Sequence, residues 1–216
     1  MLHTKLTEIS NQINYKIKEL NYKNYSPKII AVSKTFAMDK IKPLIDVGHQ
    51  DFGENRVQEA VEKWSQIKNQ SIKLHLIGKL QTNKVKFALK IFNFIHSLDS
   101  EKLAKKIADE QIKLNFKPKI FIQINLGEES QKSGINKEQL KDFYNFSKNL
   151  GLDIVGTMCI PPFEEDSSKF FSQMNYLNQK VDLKDLSMGM SSDYEDAVKF
   201  NSTFVRIGSL IFGSRS

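Results

Sequence analysis

Eight short apolar runs, spaced about 25 residues apart and separated by stretches of helical periodicity, limit what this chain can fold into more than any other feature. The runs predict strands near 28–33, 51–52, 74–77, 94–97, 119–125, 154–158, 185–187 and 204–207. Between them apolar residues recur at i, i+3, i+4 spacing, as in Val57–Val61–Trp64, Leu103–Ile107, Leu140–Phe143–Phe146 and Phe170–Met174–Leu177. Thr82, Asp99 or Ser100, and Ser192 or Asp193 stand where helix caps are expected. This alternation is the arithmetic of an α/β fold, a (β/α)8 TIM barrel. A doubly wound open sheet shares the local pattern, and the barrel is the better fit. An amphipathic segment, Leu6–Ile9–Ile13–Ile17–Leu20, adds a helix before the first strand. No Gly/Ser-rich linker divides the chain, so 1–216 is expected to form a single barrel domain. The Glu- and Ser-rich stretch after Pro161–Pro162 reads as an exposed loop.

Composition narrows the function classes. At 216 residues, 40% hydrophobic and 26% charged, the chain can bury a full core. No apolar run approaches the ~20 residues that span a bilayer, so no membrane partner is expected. The N-terminal stretch lacks the apolar region and small-residue cleavage site of a secretory signal. Cys159 is the one cysteine, which rules out an intrachain disulfide and points to a reducing, cytoplasmic setting. The net charge of +7 is carried by lysines spread from Lys5 to Lys199 without a dense block, so no nucleic-acid partner is expected. His3, His49, His75 and His96 share no metal-ligand spacing, and no metal site is expected.

The chemistry collects at the carboxyl ends of the strands, where barrels of this kind place their functional groups. In "KIIAVSKTFAM" Lys34 stands where the first strand ends. It is either a rim lysine with its stem on the barrel or an amine desolvated enough to form a Schiff base with an aldehyde. "LSMGMSSDYEDAV" follows the seventh strand with Gly189, Ser191 and Ser192, and "STFVRIGSLIFGSR" carries the eighth strand into Gly208. Loops after strands 7 and 8 form the usual phosphate cradle of such barrels. Arg206, two residues before Gly208, is either a rim ion pair or a cation facing a ring nitrogen. An aldehyde-binding lysine, a phosphate cradle and that cation together describe a pyridoxal phosphate site.

In order and spacing, "AVSKTF", "FGENRVQEA", "HLIGKLQTNK", "QINLGEESQKSGI", "LSMGMSSDYEDA" and "STFVRIGSLIFGSR" resemble the pyridoxal phosphate homeostasis proteins, over about residues 27–215. The resemblance implies a barrel like the N-terminal domain of alanine racemase that binds pyridoxal 5'-phosphate as an internal aldimine and acts in vitamin B6 homeostasis. It implies Lys34 as the aldimine lysine, backbone donors to the phosphate at Gly208 and Ser209, a hydroxyl from Ser191, and Arg206 facing the pyridine nitrogen. Asn55 and His75 would line the ring. Ser209 stands where many relatives carry Thr, which keeps the donor and a hydroxyl.

Several residues stay open on sequence alone. Lys132 of "SQKSGI" is either a rim lysine or a contact to an anionic ligand. Glu54, Arg56 and Glu59 are expected near a helix start, where Glu54 suits the helix dipole. Met158, Met188 and Met190 read as packing at the barrel mouth. An arginine partner disfavours a proton on the ring nitrogen and so weakens the electron sink that carbanion chemistry needs. Alanine racemases add a second domain and a tyrosine base; here the sequence stops after the barrel, and Tyr194 is the one tyrosine near the cradle. The expectation is a monomeric carrier that releases the cofactor to apoenzymes. The alternatives are a small amino-acid racemase or related enzyme using the same lysine, and a phosphate-sugar enzyme with a Schiff-base lysine, which leaves Arg206 without a role.

Overall fold

The computed structural model describes residues 2–67, 69–129 and 131–213, so Ser130, Ser214 and Arg215 of the motifs above lie outside the described residues. The strands are β1 (Lys28–Val32), β2 (Asp51–Glu54), β3 (Lys73–Leu76), β4 (Phe94–Leu98), β5 (Lys119–Gln123), β6 (Asp153–Met158), β7 (Asp185–Met190) and β8 (Phe204–Ile207). They pair in sequence order, all parallel, and β8 closes on β1 through Lys28↔Phe204 and Ile30↔Arg206. The barrel, rather than the open sheet, is therefore the fold. Helices α2 (Met38–Asp46), α3 (Val57–Trp64), α4 (Val85–Ala88), α5 (Glu101–Leu114), α6 (Leu140–Asn149), α7 (Ser167–Lys180) and α8 (Tyr194–Lys199) cover its outside. A short α9 (Ser209–Phe212) follows β8.

The expected N-terminal helix is α1 (Leu2–Glu19), with Ile9 and Ile13 buried and Leu6 and Ile17 packed beside them, next to α8. Leu20 falls past its end. Asn21 takes a left-handed φ of 54°, and the Tyr22 N–H bonds back to the Ile17 carbonyl, which terminates the helix. Among the expected caps, Ser100 accepts from the Leu103 N–H and starts α5. Thr82 is not a cap: it opens a short 3-10 turn whose cap position is Gln81. Asp193 precedes α8, but its carboxylate turns back to the Met190 N–H at 2.6 Å.

Two packed layers hold the barrel. The larger lies between strands and helices, and includes Phe52, Phe92, Phe171 and Trp64. Inside the barrel, Ile30, Phe94, Phe121, Met158 and Phe204 form a second cluster. Each such side chain removed from water contributes about 1.5–3 kcal/mol before entropy is counted. This plug closes the lower half of the barrel and leaves the upper end for a site.

Candidate functional site

Side chains on a strand alternate between faces. On β8, and just past it, Phe204, Arg206 and Gly208 therefore share the inward side, with Phe204 in the plug and the other two above it. On β1 the same parity sets Ile30 in the plug and Val32 above it, and Lys34 follows in the turn after the strand. Since β1 and β8 are neighbours, Lys34 and Gly208 come to adjacent places at the rim. Both line a cavity of about 510 Å³, with Asn55, Ser191, Arg206 and Ser209 around it. Six of the seven residues singled out in the sequence thus meet around one space. Val32, Phe36, Ile77 and Ile160 supply an apolar wall that motif reasoning did not name, although Val32 and Ile77 follow from strand parity. Phe36 stacks on Phe212 with ring centroids 4.9 Å apart.

His75 does not join them. Its ring is fully buried, stacked on Phe94 at 4.3 Å, and hydrogen-bonded to Asp51 and His96. It lies two residues below Ile77, one layer deeper in the barrel, so it does not line the cavity.

The cradle is built from the β7 and β8 loops. Gly208 donates its N–H to the Ser191 hydroxyl at 3.3 Å, tying the two loops together. The first N–H groups of α9 have no acceptor within the helix, and Ser209, its first residue, lines the cavity. Gly78 shapes the opposite side: a Cβ there would stand 2.2 Å from the Asn55 carbonyl oxygen, so only glycine allows the two loops to approach. Lys79 and Lys132 line an adjoining cavity of about 230 Å³, and the Lys132 ammonium pairs with Glu129 at 2.6 Å and donates to the Pro161 carbonyl.

Arg206 is buried and donates to Ser187 Oγ at 2.8 Å and to the Cys159 carbonyl at 2.9 Å. Burial lowers its pKa from the ordinary value, against the pull of Cys159 and Asp193, yet an arginine stays charged. Burial also pushes the Cys159 thiol up to about 12, so it stays protonated. Asp193 is raised by burial in the same corner.

The turn bearing Lys34 is held from behind. Glu54 is not at a helix start, as its sequence position implied. It ends β2 facing outward, fully buried, and accepts from Ser33 Oγ at 2.7 Å, from Trp64 Nε1 at 3.0 Å and from Lys63 Nζ at 3.0 Å. Lys63 also donates to the Ser33 carbonyl at 3.0 Å and to Glu59 at 2.9 Å. Glu59 in turn accepts the Thr35 N–H at 2.5 Å. Both neighbours of Lys34 are therefore pinned, with Thr35 held at a φ of 70° that a β-branched residue rarely adopts. Burial would raise the Glu59 carboxyl, but Lys63, the Thr35 N–H and Arg56 outweigh it and hold it low.

The match to known proteins covers nearly the whole chain. The model of the alanine racemase N-terminal domain fits residues 10–216. The chain belongs to the alanine racemase N-terminal-domain family. Within it, the chain is 37% identical to the pyridoxal phosphate homeostasis protein of Aquifex aeolicus over 198 residues, 87% of each chain. It is also 37% identical to that of Haemophilus influenzae over 227 residues, covering 98% of this chain and 94% of the relative. The structure of PipY from Synechococcus elongatus PCC7942, determined with pyridoxal phosphate bound, superposes with a TM-score of 0.82 at 32% identity, covering 93% of this chain and all of PipY. An alanine racemase of Clostridium difficile shares the fold at 16% identity, with a TM-score of 0.73, and this chain spans 57% of it. The barrel and the N-terminal helix expected from the sequence are both present here.

Tyr194, the tyrosine nearest the cradle in sequence, is buried and gives its hydroxyl to Gln12 of α1 at 2.5 Å, so it faces the N-terminal helix and not the cavity. Met158 and Met188 are fully buried, and Met190 lines the cavity. Among the described residues no group of histidine, cysteine and acidic side chains could hold a metal ion, and no helix is long and apolar enough to cross a membrane.

Proposed function

We propose that this chain binds pyridoxal 5'-phosphate in the 510 Å³ cavity, covalently through the Lys34 amine, and serves as a cytoplasmic carrier in vitamin B6 homeostasis rather than as an enzyme. The observation that carries the reading is the convergence of an amine, a buried guanidinium and the Ser191–Gly208–Ser209 loops on one cavity. The donor set fits the cofactor: an amine for an aldehyde, hydroxyl and backbone N–H groups for a phosphate, and an N–H donor for a ring nitrogen. When bound, the cofactor supplies an electrophilic aldehyde carbon and a conjugated ring. The names of the relatives and the loaded PipY structure support the same ligand.

The residues assign the roles. Lys34, on a turn pinned on both sides, presents its amine at the rim. Ser191, Gly208 and Ser209 take the phosphate, and Asn55 with the apolar wall of Val32 and Ile77 borders the ring. Arg206, a donor that cannot lose its charge, disfavours a proton on the ring nitrogen and so weakens electron withdrawal. Proton transfer is poorly served: Tyr194 is committed to Gln12, and the Cys159 thiol is buried and protonated. That balance favours holding and release, as a monomer, to apoenzymes that use the cofactor. Mixing the purified protein with pyridoxal phosphate tests it. The wild type is expected to develop a visible absorbance band that Lys34→Ala lacks, and wild-type protein is expected to leave the α-hydrogen of added amino acids unexchanged in deuterated water. Exchange that depends on Lys34 would replace the carrier by an enzyme.

A further inference from the structure

His75 is missing from the cavity, yet it is connected to it. Asp51 Oδ1 stands 2.9 Å from His75 Nε2, and His75 Nδ1 stands 3.0 Å from His96 Nε2. His96 Nδ1 is 2.8 Å from Ser187 Oγ, which is 2.8 Å from the Arg206 guanidinium. Five residues from β2, β3, β4, β7 and β8 thus form one hydrogen-bonded line along the barrel interior, from its amino-terminal end to the cavity.

With both rings neutral, the chemistry of the two ends fixes every hydrogen between them. A guanidinium only donates, and an ionised carboxylate only accepts. Ser187 therefore accepts from Arg206 and gives its single hydrogen to His96 Nδ1. That leaves the hydrogen of His96 on Nε2, donated to His75 Nδ1. The hydrogen of His75 is then on Nε2, donated to Asp51. Two neutral rings in the Nε2–H form satisfy the whole line with nothing left over. A proton added to either ring ends this arrangement: His96 Nδ1 would become a donor to Ser187, whose own hydrogen would lose its acceptor.

The surroundings agree. His75, His96 and Ser187 are fully buried, and each imidazole stacks on a phenylalanine, His75 on Phe94 and His96 on Phe121, both at 4.3 Å. Burial holds both histidines below the ordinary value; Asp51 opposes this at His75, Lys28 and Lys73 reinforce it there, and His75 and Arg206 reinforce it at His96. Burial would raise Asp51, but His75, Lys28 and His49 outweigh it and keep the carboxylate ionised. Asp193 and Cys159 also act on Arg206.

We propose that Asp51, His75, His96 and Ser187 are positioning residues that fix the orientation of Arg206 in the cavity through a one-way line of hydrogen bonds. The proposal rests on the cofactor reading above, since its purpose is to aim the guanidinium at a ligand's acceptor atom. None of the four lines the cavity; they act through Arg206.

Nitrogen-15 NMR of the ligand-free protein, labelled at histidine, reads the line directly. Both rings are expected in the neutral Nε2–H form at pH 7 and to remain neutral as the pH is lowered below the ordinary histidine value. A cationic ring, or an Nδ1–H form at either position, overturns the proposal whatever the cofactor does. Ser187→Ala is expected to shift the His96 nitrogens, to weaken pyridoxal phosphate binding about tenfold and to change the pH profile of its absorbance band. Ser187→Thr, which keeps the hydroxyl, is expected to restore both. If Ser187→Ala folds and binds with the wild-type affinity and pH profile, the line exists but does not position Arg206, and the proposal fails. If the wild type gives no band at all, the cofactor reading fails, while the NMR result still decides the direction of the line.

Discussion

The Lys34 wall and the Arg206 wall of the cavity each present a nitrogen-bearing side chain to the same space, but their supports differ in kind. Behind Lys34, a buried ion-pair cluster of Glu54, Lys63 and Glu59 grips the backbone of Ser33 and Thr35. Behind Arg206, a line of neutral groups ends in a half-buried carboxylate at the far end of the barrel. The first support lies outside the strands, against α3, and fixes the main chain. The second lies inside them and fixes a side chain. The one steadies the turn that carries an amine, and the other fixes the direction of a guanidinium's donors.

The two walls part most sharply at Lys63. Lys63→Met leaves Glu54 fully buried without its cation, and is expected to cost about 3–5 kcal/mol in urea unfolding. Combining it with Glu54→Gln is expected to recover a large part of that loss. On the other wall, Ser187→Ala removes a neutral partner and is expected to cost about 1–3 kcal/mol, less than the charged cluster. An equal cost on both walls would contradict the distinction between them.

Acid separates the walls further. Burial holds His49, His75 and His96 below the ordinary histidine value. As pH falls below about 6.5, the unfolded chain takes up protons that the folded chain refuses, so stability is lost on acidification. The expected slope is up to about 1.4 kcal/mol per histidine per pH unit, read as a falling urea midpoint between pH 7 and 5.5. His96→Phe is expected to flatten that slope, and Lys63→Met to leave it unchanged. The smallest effect is expected at Thr35: Thr35→Gly relieves the left-handed φ and should stabilise the fold by about 1 kcal/mol or less, while slowing covalent capture at Lys34.

How much was legible in the sequence differs between these walls too. The barrel was legible because its strands repeat, and Lys34, Ser191, Arg206 and Gly208 because they fall at or just past strand ends, where barrel sites lie. Ser209 and Asn55 came from the family resemblance. His75 was misplaced because β3 is followed by Ile77, the next inward position, which takes the place in the cavity. Its partners, 24 and 21 residues away, are brought to it only by the barrel's closure. Glu54 was misread because "FGEN" shows neither where β2 ends nor which face the carboxylate takes; Lys63 and Trp64 settle that only after α3 docks. Parity along one strand is visible in a sequence, whereas register between strands is not.

Capture of pyridoxal phosphate by Lys34 is read by borohydride reduction of the loaded protein followed by peptide mapping. One cofactor per chain is expected, fixed on Lys34 in the peptide that follows β1, and lost in Lys34→Ala. A label spread over surface lysines, or held at another single lysine in the wild type, would contradict it.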